Sequence, residues 1–155
     1  MRSTELKELH MLALQHHRLK HPTYPEEARY VKPYSDRTAN ELTKCIIDHL
    51  RFTDNQGERV SVTGRYIDRS RIVSDTLGHR KRIGSGMWIP SSMQKGSADI
   101  SAIIKGRAVK IEIKMPKDSQ SAAQKLYQNQ VERAGGLYWI IGSFAQYMRL
   151  FQDIS

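Results

Sequence analysis

Ala98-Asp99-Ile100-Ser101-Ala102-Ile103-Ile104, then Lys105-Gly106, then Arg107-Ala108-Val109-Lys110-Ile111-Glu112-Ile113-Lys114 reads as two β-rich runs around a glycine-containing pair. That pattern predicts a β-hairpin. Side chains alternate faces along a strand, so Ala98, Ile100, Ala102 and Ile104 share one face, as do Val109, Ile111 and Ile113. The other face carries Asp99, Ser101, Lys110, Glu112 and Lys114. A two-residue turn at Lys105-Gly106 sets Ile100 against Ile111, Ala102 against Val109, and Asp99 directly against Glu112. The matched apolar pairs support this register independently of the acids. Lysine before Gly106 is loose turn chemistry and leaves room for a slip of one residue.

Directly opposed Cβ atoms lie about 4.5–5.5 Å apart, and like charges placed there destabilise a sheet. A divalent cation would offset the repulsion. Mg²⁺ takes hard oxygen ligands at about 2.0–2.1 Å and is commonly held by one or two protein carboxylates. Lys114 projects to the same side, its ammonium within reach of a phosphate oxygen. Two carboxylates and a lysine at one end of a hairpin, in a basic chain, describe a metal-dependent phosphodiester-cleaving site. A plainer reading stands beside it: one wet face of an antiparallel hairpin carries Asp, Ser, Lys and Glu for solvation alone, and Lys110 and Lys114 would neutralise the two acids. The residue pattern leaves both readings open.

The composition narrows the partners. At 155 residues the chain has the size of one domain, and 39% apolar with 26% charged residues favours neither a disordered nor a membrane protein. Leu137-Tyr138-Trp139-Ile140-Ile141 is the longest all-apolar run, far short of the about 20 residues a spanning helix needs; no membrane partner is expected. Glu5, Glu8 and His10 among the first leucines do not make a secretory signal. The single Cys45 excludes an internal disulfide and a thiolate zinc cluster, which fits a reducing, cytoplasmic setting. Twenty-five Lys and Arg against 16 Asp and Glu leave a net charge of +9, pointing to a polyanion such as DNA or to solubility alone.

Working outward, residues 3–20 predict a helix with Leu6, Leu9, Ala13 and His17 in one stripe, ended by His21-Pro22. A connector follows, with a short helix over Pro25–Tyr30, and residues 1–37 are expected to form an N-terminal helical arm outside a 38–155 domain. Thr38-Ala39-Asn40-Glu41 is a capping-box signature that opens a helix to about Phe52, with Leu42, Cys45, Ile46, His49 and Leu50 inward. Val60 and Val62 suggest a strand. From Gly64 to Gly96 the pattern is loose, and between Glu58 and Arg82 seven basic residues face three acidic ones. Arg65, Arg69, Arg71, Arg80, Lys81, Arg82 and Lys95 are candidates to grip a nucleic-acid backbone; a solvated loop is the alternative. A helix over about Ser119–Ala134 has Ala123, Leu126, Tyr127, Val131 and Ala134 as its expected core stripe. Gly135-Gly136 closes it, and Leu137–Ile141 returns as a strand buried on both faces. Hairpin strand, helix and strand make a βαβ unit, so the last strand should run parallel to the second hairpin strand. Ser143 caps a final helix with Phe144, Tyr147, Met148 and Phe151 on one face.

Gly96-Ser97-Ala98-Asp99 followed by Glu112-Ile113-Lys114 resembles the PD-(D/E)XK nuclease superfamily, and more narrowly the VRR-NUC type of small nucleases. The segment Gln120–Gln128 and the run Ala134-Gly135-Gly136-Leu137-Tyr138-Trp139-Ile140 are similar to that group's glutamine helix and following strand. The likeness covers roughly residues 38–152. It implies an α/β fold with a restriction-endonuclease-like core, a mixed central sheet flanked by helices. It implies that Asp99, Glu112 and the Ile113 backbone carbonyl bind Mg²⁺ or Mn²⁺, and that Lys114 positions the attacking water and stabilises charge on the phosphate. Glu41 would match the acid that the superfamily often places on its first helix, although the capping box explains it as well. Gln124 would match the helix glutamine near the metal, with Gln128 one turn on; a solvated glutamine pair is the rival account. The proline of the superfamily's name is Ala98 here. The implied activity is a DNA endonuclease, including one selective for branched or junction DNA, with a homodimer as its working form. A non-catalytic DNA-binding module on the same fold is the alternative.

Other constellations are weaker. His10, His16, His17 and His21 have no carboxylate at a metal-ligand spacing. Ser85 and Ser97 lack a nucleophile elbow, and Gly84-Ser85-Gly86 lacks the lysine of a phosphate loop. Tyr66 and Trp88, beside the basic segment, suit stacking on unpaired bases, while core packing is the commoner fate of such rings.

Overall fold

The computed structural model describes residues 3–61, 64–89 and 94–154. Along the chain the elements are α1 (Thr4–Lys20), α2 (Ala39–Phe52), β1 (Gln56–Arg59), β2 (Arg65–Asp68), β3 (Arg71–Ser74), β4 (Arg80–Ile83) and β5 (Gly86–Ile89). They continue with β6 (Ile100–Ile104), β7 (Arg107–Ile113), α3 (Ala122–Arg133), β8 (Leu137–Ile141) and α4 (Phe144–Asp153). Two compact units result: one is the chain up to Val60 together with everything from Gly96 on, the other is Ser61–Lys95.

The first unit is mixed α/β. Its sheet runs β1-β6-β7-β8, with β6 antiparallel to both neighbours and β8 parallel to β7. The hairpin register is the expected one, Ile100 opposite Ile111 and Ala102 opposite Val109. Lys105 (φ 48°) and Gly106 (φ 79°) are both left-handed, the geometry that a two-residue turn matched to strand twist demands. Lysine tolerates it because it is tied on both sides. Its N–H donates to Asn55 Oδ1 at 3.0 Å, and its Nζ donates to the Ile154 carbonyl at 2.7 Å.

One face of the sheet (Ile100, Ala102, Ile104, Val109, Ile111, Ile113, Trp139, Ile141) packs on α2 and α4 in a single core. The Thr38–Glu41 capping box is present, and Leu42, Cys45, Ile46, His49 and Leu50 are buried as expected. Ser143 caps α4. The 1–37 segment, however, is not an arm apart from the domain. Leu6, Leu9 and Ala13 of α1 lie in the same core, and Tyr34 of the connector joins them, its hydroxyl donating to Asp48 at 2.8 Å. An amphipathic helix buries its stripe against the nearest apolar surface, and here the domain supplies it.

Two further expectations are corrected. A strand was sought at Val60 and Val62, but the strand here is β1, Gln56–Arg59, which ends before Val60; Val60 only adds a bond from its N–H to the Asp99 carbonyl at 2.8 Å, and Val62 lies outside the described residues. As an edge strand with polar residues on its exposed positions, β1 lacks the alternation that marks a half-buried one. In α3 no residue is fully buried, and Leu126 of the expected core stripe is 60% exposed.

Where a loose loop was expected, the described residues of the second unit form four strands between Arg65 and Ile89. β2 pairs with β5 and β3 with β4, all antiparallel. Both ladders share one register, Asp68 opposite Gly86 and then Arg71 opposite Ile83, so they form one β-ribbon interrupted once. At its tip Asp75 Oδ1 accepts the N–H groups of Leu77 and His79 at 2.9 and 2.8 Å. The ribbon hid in the sequence because neither face is buried, so no apolar period was imposed on it. Among the described residues no helix is long and apolar enough to cross a membrane.

Candidate functional site

On the sheet face opposite the core, β7 presents Lys110 and Glu112, with Lys114 just past its end. α3 lies over this face. It is held close by Gly96, whose φ is 85° and on which a Cβ would fall 2.5 Å from the Ala123 carbonyl carbon and oxygen. Only glycine lets the two backbones approach this nearly. Ser121 caps α3, and the Gln124 side chain completes its capping box.

That placement brings Gln124 between two charges. Its Oε1 accepts from Lys114 Nζ at 3.1 Å and from the Ser121 N–H at 2.9 Å, while its Nε2 donates to Glu112 Oε1. Lys114 Nζ lies 3.0 Å from the same Glu112 oxygen. The amide thus offers its oxygen to the cation and its nitrogen to the anion, closing a three-membered polar ring. Tyr138 on β8 adds a longer hydroxyl contact to Glu112 Oε2, at 3.5 Å. Glu112 is only 2% exposed. Burial lifts its carboxyl above the ordinary value of 4.5; the bonded Lys114 ammonium pulls it back, and the Asp99 charge lifts it further.

Asp99 sits immediately before β6, and its Oδ2 accepts the Ile113 N–H at 2.8 Å. The opposed acids are therefore tolerated without a cation: Glu112 is offset by Lys114 and Gln124, and Asp99 by a backbone donor. Beside them, Lys110 Nζ donates to Ser101 Oγ.

Among the described residues no three His, Cys, Asp or Glu side chains gather into a metal-holding group. The acidic donors at this end of the hairpin are the pair Asp99 and Glu112, and Asp99 Oδ1 makes no hydrogen bond among the described residues. Two hard carboxylates are the kind of oxygen donor that Mg²⁺ or Mn²⁺ takes, and not the nitrogen- and sulfur-rich set of structural zinc.

Other expected site residues lie elsewhere. The Glu41 carboxylate bonds Ser35 Oγ, the Thr38 hydroxyl and the Thr38 N–H, and none of its bonds reaches Asp99, Glu112 or Lys114. Gln128 accepts from Gln120 at 3.0 Å and donates to Glu132 at 2.8 Å, not to Glu112. Arg65, Arg71, Arg80, Lys81 and Arg82 stand on the ribbon strands, Arg69 at its interruption, and Lys95 at the end of that unit. Tyr138 escaped notice because its strand reads as uniformly apolar; its pairing with Lys110 in the parallel register was the available signal. No protein-family model matches the chain, and no curated protein matches it.

Proposed function

We propose that the chain is a Mg²⁺- or Mn²⁺-dependent deoxyribonuclease of PD-(D/E)XK type, hydrolysing phosphodiester bonds in DNA. The observation that carries this reading is the Glu112–Lys114–Gln124 ring set beside Asp99 at one end of the hairpin. Asp99, Glu112 and the Ile113 carbonyl would hold the cation, which when bound supplies charge neutralisation at the phosphate and acidifies the attacking water. Lys114 offers its ammonium to oxygens that gain negative charge during attack, where a preoriented donor helps most. Gln124 positions Lys114 by accepting a hydrogen bond from its ammonium. Burial beneath α3 and Tyr138 keeps the Glu112 carboxylate in one orientation. Ribbon cations Arg65, Arg69, Arg71, Arg80, Lys81 and Arg82, with Lys95, would contact backbone phosphates and make binding salt-dependent. Glu41 acts in this reading as a helix cap alone. Two copies of the chain would be needed to cut both strands in one encounter.

A second reading, a DNA-binding module without catalysis, is favoured by one observation: the polar ring is satisfied within the chain itself. One experiment separates the two. Supercoiled, linear, single-stranded and four-way-junction DNA are incubated with the protein in Mg²⁺ or in EDTA, alongside Asp99→Asn and Lys114→Ala. Cutting that needs the cation and disappears in both variants supports the nuclease. Salt-sensitive binding with no cutting of any substrate supports the module.

A further inference from the structure

We propose that the Tyr66–Trp88 pair on the ribbon is a stacking platform for the unpaired bases of a single-stranded nucleic acid. This goes beyond the hydrolytic reading and does not rest on it. The two residues face each other across the β2–β5 ladder. Core packing is the usual fate of such rings, yet Tyr66 is 63% and Trp88 60% exposed. Neither touches another aromatic ring among the described residues.

Two glycines shape the platform. A Cβ on Gly86 would fall 1.6 Å from the Tyr66 hydroxyl oxygen. One on Gly64 would fall 2.7 Å from Trp88 Nε1 and 2.5 Å from the Ile89 carbonyl oxygen. Neither glycine has the positive φ that would itself demand glycine. Their missing side chains instead leave room for the Tyr66 and Trp88 rings to reach diagonally across the ladder, with more than half of each residue open to solvent. A flat, exposed, preorganised π-surface is what an unpaired base stacks on, and a duplex hides those faces within its own stack.

Charge selects the partner. Residues 64–89 carry six Lys and Arg against two Asp. Arg82 is engaged by Ser70 at 2.6 Å and by Asp68 at 2.5 Å. Arg65, Arg69, Arg71, Arg80 and Lys81 form no ion pair among the described residues. A polyanion with apolar planar faces answers both features, whereas an acidic peptide answers only the charge.

The test is fluorescence anisotropy in EDTA with labelled strands of equal length: oligothymidylate, oligouridylate, an abasic strand and a duplex. Expected is binding of the base-bearing single strands about tenfold tighter than of the abasic strand. Trp88→Ala and Tyr66→Ala should each remove about that factor while leaving abasic binding unchanged, and Trp88→Phe and Tyr66→Phe should keep most of it. Trp88 emission should fall on adding oligothymidylate, with Trp139, 8% exposed, contributing a constant background. The two base-bearing arms tell DNA from RNA, and preference for either supports the platform. Equal binding of base-bearing and abasic strands overturns it, as does equal loss on both in the alanine variants or tighter binding of the duplex. Should an alanine variant fail to fold by its melting curve, the phenylalanine variants and the quenching decide. Because no cleavage occurs in EDTA, this outcome is independent of whether the Asp99–Glu112 site hydrolyses anything.

Discussion

The Asp99 side chain accepts the Ile113 backbone N–H at 2.8 Å, so the same carboxylate that faces Glu112 also closes the end of the β6–β7 ladder. A structural task and a chemical one fall on one residue, and substitutions separate them. Asp99→Asn keeps a carbonyl acceptor for Ile113 and removes the charge that raises the Glu112 pKa, so the metal-free protein should melt at an equal or higher temperature. Asp99→Ala strands the Ile113 N–H and should cost about 1 kcal/mol. Thermal melting in EDTA checks both; an Asn variant less stable than the Ala variant would contradict the assigned bond.

Glu112 titrates upward on folding, chiefly through burial. A raised carboxyl pKa means that the folded state holds its proton more tightly than the unfolded chain. Stability from this group is therefore present below 4.5 and is lost as pH rises through the folded value. Glu112→Gln should stabilise the metal-free protein at neutral pH and lose that advantage in acid. Melting curves at pH 7 and pH 4 measure the difference; an advantage that persists or grows in acid would sink the account.

His49 behaves oppositely. Buried among Phe144, Tyr147 and Phe151, with Nδ1 3.0 Å from the Tyr147 hydroxyl, it has its pKa lowered by burial from 6.5 to about 4. The unfolded chain then binds the extra proton first, so stability falls as pH drops from 6.5 toward 4, by about 3 kcal/mol in all. His49→Phe should flatten that part of the pH–stability curve, whatever its absolute stability. Imidazole resonances of the wild type followed by NMR should stay in the neutral form down to about pH 4.

Gly96 and Gly106 share a left-handed backbone, at φ 85° and 79°, but not an environment. Nothing lies within 4 Å of a Cβ on Gly106, whereas on Gly96 it would strike the α3 backbone at Ala123. Gly106→Ala should cost only the conformational penalty, about 1 kcal/mol. Gly96→Ala should cost clearly more and displace Gln124 from Glu112. Melting temperatures rank the two, and equal losses would show that α3 does not depend on the close approach.

Much of this was legible in the residue order because local rules act through neighbours. Alternation together with a two-residue turn yielded the Ile100–Ile111 and Ala102–Val109 pairing. The Thr38 capping box and the apolar stripe of α2 yielded a helix and its buried face. Asp99, Glu112 and Lys114 could be placed on one side of the hairpin by parity alone. Tertiary structure decided what parity cannot. It folded α1 into the core instead of leaving it outside, since an apolar stripe does not say what will cover it. It set Gln124 between Lys114 and Glu112, since that contact depends on how closely a glycine lets a helix approach a strand. It ordered the ribbon and left Tyr66 and Trp88 in solvent, since a two-stranded ladder is held by backbone hydrogen bonds that side-chain periodicity does not record.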